Sequence, residues 1–102
     1  MFSHNYFNKY IERVEEARES FVTALKNKDY ADARSLVDKQ FDLIHTMRTL
    51  GRNAYEELDI SSFGYANGYA DLFEGRLHHD VLDLIDALTG SFSKQGERND
   101  NA

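Results

Sequence analysis

No proline occurs anywhere in the 102 residues, so nothing in the covalent chain obliges a helix to kink or to stop. The apolar residues use that freedom in a regular way. They recur at steps of three and four over three long stretches, the spacing of a helix with one buried side.

The first stretch carries Phe7, Ile11, Val14, Phe21 and Leu25, widened by Tyr10, Ala17 and Val22. It predicts a helix over about 5–27 with Ser3 or Asn5 as N-cap. Arg18 falls on the same side, where its long stem is expected to carry the charge out to water. The second stretch follows the turn KNKD, with Asp29 as cap. Tyr30, Ala33, Val37, Phe41, Ile44, Met47, Gly51, Ala54 and Leu58 form one line, and Leu36, Leu43 and Leu50 a second. So wide an apolar face touches two neighbours. The expectation is one helix over 29–58, with a bend at Gly51 left open because Asn53 and Glu56 fit a capping box.

The third stretch runs through Phe63, Ala66, Ala70, Phe73, Leu77, Val81, Leu84 and Leu88. A turn over 59–62, with Ser61 or Ser62 as cap, should precede a helix reaching about Phe92. The fold class expected is therefore all-α: a three-helix antiparallel up-down-up bundle with long helices. Its domain is residues 1–93, and the polar, aperiodic 94–102 is expected to be a flexible tail.

Composition narrows the function classes. The chain has no cysteine, which removes disulfides, thiolate metal ligands and thiol nucleophiles. The opening MFSHNYFNKYIE lacks the apolar core of a secretion signal, and no run approaches the ~20 apolar residues of a membrane span. A soluble cytoplasmic protein is expected. The net charge of −6 is unevenly spread. Between 53 and 93, Glu56, Glu57, Asp59, Asp71, Glu74, Asp80, Asp83 and Asp86 face only Arg76, a net of −7. Such a field repels nucleic-acid phosphate and suits a protein partner with a basic surface.

The least ordinary segment is FGYANGYADLFEGRLHHDVLDLID. On a helical projection Gly64, Gly68 and Gly75 fall together on the side away from the core line, with Tyr65, Leu72 and Leu82 nearby. A glycine inside a helix costs about 1 kcal/mol relative to alanine, so three on one outer side ask for a reason. Coverage by another protein surface supplies one, and flanking aromatic area suits it. The partner-binding residues expected are Gly64, Tyr65, Gly68, Tyr69, Leu72, Gly75, Asp83 and Asp86. The alternative is a hinge at GYANG, with regular helix only from about Ala70.

Metal chemistry has candidate ligands. His79, Asp83 and Asp86 share a face at steps of four and three, while Asp42/His45 and Glu74/His78 form nitrogen–oxygen pairs. HHD resembles the His-Asp element of metal phosphohydrolases, which would imply a site drawn from His45, His78, His79, Asp80, Asp83, Asp86 or Asp100. Glu12, Glu15, Glu16 and Glu19 resemble the Glu-x-x-Glu helix of all-helical nucleotide pyrophosphatases, but no second such helix accompanies them. NKDYADARSLVDKQFDLI is similar to half of a tetratricopeptide pair, though no repeat follows at the ~34-residue period. The run GYANGYADLFEGR resembles runs in small bacteriophage proteins, which would imply a phage or mobile-element origin. No nucleophile elbow, phosphate loop or dinucleotide fingerprint is present.

The sequence thus predicts a small acidic non-catalytic protein of adaptor or inhibitor type, self-associating, without cofactor, and contacting neither nucleic acid nor membrane directly. Two rival expectations are a metal-binding bundle or metal-dependent phosphohydrolase using the His/Asp set, and an acidic mimic of nucleic acid.

Overall fold

The computed structural model describes residues 1–90. Three helices, α1 (His4–Lys26), α2 (Tyr30–Glu56) and α3 (Ile60–Thr89), form the all-α antiparallel bundle. The expected tail over 94–102 and the last turn toward Phe92 lie outside the described residues. No helix among those described is long and apolar enough to cross a membrane.

The two turns are built alike. The Asp29 N–H donates to the Ala24 carbonyl at 2.9 Å, as the Asp59 N–H does to Ala54 at 2.9 Å. Lys28 and Leu58 bond back to Leu25 and Tyr55, which completes a Schellman pair at each helix end. Both hold positive φ, 61° and 63°, in the position where glycine is usual. Each following aspartate then caps the next helix: Asp29 accepts from the Asp32 N–H and Asp59 from the Ser62 N–H, both at 3.2 Å. The cap of α3 is therefore Asp59, not Ser61 or Ser62. A carboxylate beside four unpaired N–H groups gains from the helix dipole as well as the hydrogen bond. Ser62 is buried inside the first turn, and Gly64 and Gly68 lie in regular helix rather than in a hinge. At the other end Gly90 (φ 74°) closes α3.

The core is a column of Phe7, Val14 and Phe21 from α1, Val37, Ile44 and Met47 from α2, and Phe73, Leu77 and Leu84 from α3. Small residues let α2 and α3 approach closely. Gly51 faces α3, and a Cβ added to it would meet the Ala66 Cβ. That contact explains why α2 runs through Gly51 without a break. The glycine serves packing, not bending.

Phe41, Leu58 and Leu88 on the apolar lines, and Val22 beside the first, depart from expectation, each being exposed. Gln40, 1 % exposed, takes the core place expected for Phe41, which is 53 % exposed. Steps of three and four are both helical, and the phase set by Val37 and Ile44 selects residue 40. Leu58 is not a core residue either: it occupies the turn and is 83 % exposed.

α2 packs closely against both neighbours, whereas α1 and α3 meet chiefly through side chains. Arg18 keeps 36 % of its side chain exposed, but its guanidinium is held by a carboxylate of α3. Its Nε and Nη2 donate to the two carboxylate oxygens of Asp80, at 3.1 and 3.3 Å. Asp80 is the one charged residue buried among those described. Further along, Arg76 donates to both oxygens of Glu15 at 2.7 and 3.3 Å, and the Tyr65 hydroxyl to Asn8 at 2.8 Å. These long groups span the gap that the two backbones leave.

Candidate interaction surface

With Ala66, Ala70, Phe73, Leu77 and Leu84 turned inward, the 100° step per residue aims Gly64, Gly68, Leu72, Gly75, His79 and Leu82 outward. All six are exposed. Leu72 and Leu82 show 54 % and 48 % of their surface to solvent. A Cβ built on Gly64, Gly68 or Gly75 meets no atom within 4 Å, so no contact inside the chain requires these glycines. Beside Gly75 lies an open depression of about 680 Å³, lined by Leu72, His79, Arg76, Asp71 and Arg18.

Charged pairs run along both flanks of this face. On the α2 side, Arg48 donates to Asp71 at 2.9 Å and to Glu74, and also reaches the Asn67 amide oxygen at 3.1 Å. On the α1 side the Arg76–Glu15 pair does the same. Its hydrogen bond holds the Glu15 carboxyl below the ordinary value against the opposing effect of partial burial. The face is thus an apolar, glycine-notched strip between two rails of paired charges.

The residues singled out from sequence divide into two groups. Gly64, Gly68, Leu72, Gly75, Asp83 and Asp86 are exposed, and they share the outward half of α3. Tyr65 and Tyr69 are only half-exposed and lean toward α1 and the core. Tyr65 stacks against His4 and Phe7 while bonding Asn8, and Tyr69 packs on Phe73. Their contribution to any partner is the ring edges that remain.

The acidic segment is also less free than its count implies. Asp71 and Glu74 are paired with Arg48, Asp80 with Arg18, and Asp59 caps α3. Hydrogen bonds from Ser62, first from its hydroxyl and then from its backbone N–H, hold the Asp59 carboxyl below the ordinary range. The arginine partners come from 23, 26 and 62 residues away in sequence, beyond the reach of local charge counting.

The ligand sets do not assemble. Among the described residues no three side chains of His, Asp or Glu stand close enough together to hold a metal ion. That includes His79, Asp83 and Asp86, which the helical spacing had placed on one face. Asp80 points to the interior and His45 to the solvent side of α2. Asp100 lies outside the described residues. Compared with protein families, curated proteins and solved structures, the chain finds no match.

Proposed function

We propose that this chain is a small, acidic, non-catalytic interaction module of adaptor or inhibitor type, which works by having the outward face of α3 covered by another protein surface. One observation carries the reading: two half-exposed leucines and three glycines occupy that face, and among the described residues nothing fills the space that a side chain at those glycines would take. Each glycine costs the isolated helix about 1 kcal/mol against alanine. Exposed leucines between rails of paired charges offer apolar area that an outside surface would bury. Asp83 and Asp86, at the C-terminal end of the face, favour a protein partner with basic groups around an apolar contact.

Leu72→Glu tests the reading, because it places a charge in the middle of the strip without touching the core. Wild type and variant are compared by sedimentation and as baits in matched pull-downs from the source cells. The expected result is unchanged helical circular dichroism with loss of self-association or of at least one retained protein. Identical sedimentation together with an identical retained set would refute the assignment. An interface of this kind weakens little with added salt, whereas mimicry of nucleic acid would weaken steeply.

A further inference from the structure

We infer that the groove between the C-terminal halves of α1 and α3 is a binding site for a free amphiphilic carboxylate, a straight apolar chain with one anionic end. This does not rest on the reading of the outward face of α3 and is tested without it.

The groove exists because α1 and α3 each pack closely on α2 and hardly on one another. Toward the end of α1 the side chains do not fill the gap between them. An open volume of about 410 Å³ remains, within the ~300–1,000 Å³ of small-molecule sites. Its walls are apolar: buried Phe21, half-buried Leu25 and Ala87, and exposed Val22. At one end stand Arg18 and Asp80, whose charges already oppose one another at 3.1 Å. At the other stand Lys26, Lys28 and Tyr30. From Arg18 to Lys26 is roughly 12 Å of helix at ~1.5 Å per residue, the length of an extended chain of about ten carbons.

The second end sets the occupant. Among the described residues neither Lys26 nor Lys28 is in an ion pair, although acids outnumber bases 18 to 12 in the chain. The Tyr30 hydroxyl, beside them, has no hydrogen-bond partner among those residues either. The carboxyl end of α1 favours a cation nearby, which accounts for one lysine. It does not account for two lysines and a phenol left over at the mouth of an apolar groove. Ammonium and hydroxyl donors together match a carboxylate, and the apolar walls behind them match the chain it carries. A cationic amphiphile meets repulsion at the same mouth. Asp83, on the α3 wall, is the one acid of the lining not held by an arginine. It opposes an anion, so removing it gives the test a sign.

Decanoate, kept below its micelle concentration, is titrated into the full chain while the backbone amide resonances are followed by NMR. The expected result is one saturable site with a dissociation constant below about 1 mM, with shifts at Phe21, Val22, Leu25 and Ala87. Decylammonium should bind about tenfold more weakly, and acetate, which lacks the chain, should not bind measurably. Lys26→Glu combined with Lys28→Glu, both at exposed positions, should weaken decanoate about tenfold with circular dichroism unchanged. Asp83→Asn, also exposed, should strengthen it about twofold. Absence of saturable binding overturns the inference, as does binding indifferent to the lysine and Asp83 variants. Equal affinity for decanoate and decylammonium would mark a merely apolar groove suited to a protein side chain, and overturns it too. So do shifts confined to Gly68, Leu72 and Gly75 on the outward face of α3.

Discussion

A side-chain carbon placed on Gly51 would lie 3.1 Å from the Cβ of Ala66, so a methyl group fits here only if α2 and α3 part by a few tenths of an ångström. Both positions are buried, and the Ala66 Cβ cannot rotate away. Alanine at 51 gains about 1 kcal/mol of helix propensity, but crowding a packed contact costs about 1–3 kcal/mol. Gly51→Ala should therefore lose about 1 kcal/mol in urea unfolding. Combining it with Ala66→Gly, which reopens the space, should return the protein close to wild type. The non-additivity of that cycle is the measurement.

The Arg18–Asp80 pair predicts an asymmetry. Removing Arg18 strands a carboxylate in the core, whereas removing Asp80 leaves a guanidinium whose side chain is already 36 % exposed. Breaking a fully enclosed pair costs about 3–5 kcal/mol, and partial exposure lowers that figure. Arg18→Leu should cost about 2 kcal/mol and Asp80→Leu clearly less, by chemical denaturation. The double variant should be at least as stable as Arg18→Leu alone.

Gln40 presents an Nε2 group with no hydrogen-bond partner in a fully buried position. An unpaired buried donor costs about 1–3 kcal/mol. Gln40→Met keeps the unbranched shape and removes the polar group, so the melting temperature should rise, by a stability gain of about 1 kcal/mol. A fall would mean that the amide has a role in the core beyond volume.

Leu58 stands at positive φ and is almost wholly exposed. A side chain in the left-handed region costs about 1–2 kcal/mol, part of which glycine gives back through a more flexible unfolded chain. Leu58→Gly should therefore stabilise by roughly 0.5–1 kcal/mol. Unchanged circular dichroism with a higher urea midpoint is the expected pair of results.

The acid limb of stability follows from Asp59 and Glu15, whose carboxyls are held below their ordinary values by Ser62 and Arg76. Groups depressed in the folded state contribute stability above the unfolded carboxylate pKa of ~4 and lose it as pH falls through the folded value. The melting temperature should accordingly drop below about pH 4. Asp59→Asn should flatten that drop while changing neutral-pH stability little, because asparagine caps nearly as well.

The bundle itself was legible because helix periodicity is local. Phe7, Val14, Phe21, Ile44, Met47, Phe73 and Leu77 follow from spacing alone, and the absence of proline leaves three long helices as the natural reading. Spacing cannot choose between adjacent residues that both fit, so Gln40 and Phe41 were exchanged. Nor does it recognise an aspartate cap when serines stand two and three residues later. The outward face of α3 was legible as three glycines beside two leucines, because helical spacing places them opposite the core line.

What the amino-acid sequence determined by itself was therefore helix identity, approximate length, and which side of each helix is apolar, since each depends on residues within two turns of one another. Tertiary structure alone decided that Arg18 meets Asp80, that Arg48 meets Asp71 and Glu74, and that Gly51 lies against Ala66. Those pairs are brought together by the antiparallel packing of separate helices, and no pattern along a single helix encodes a partner on another.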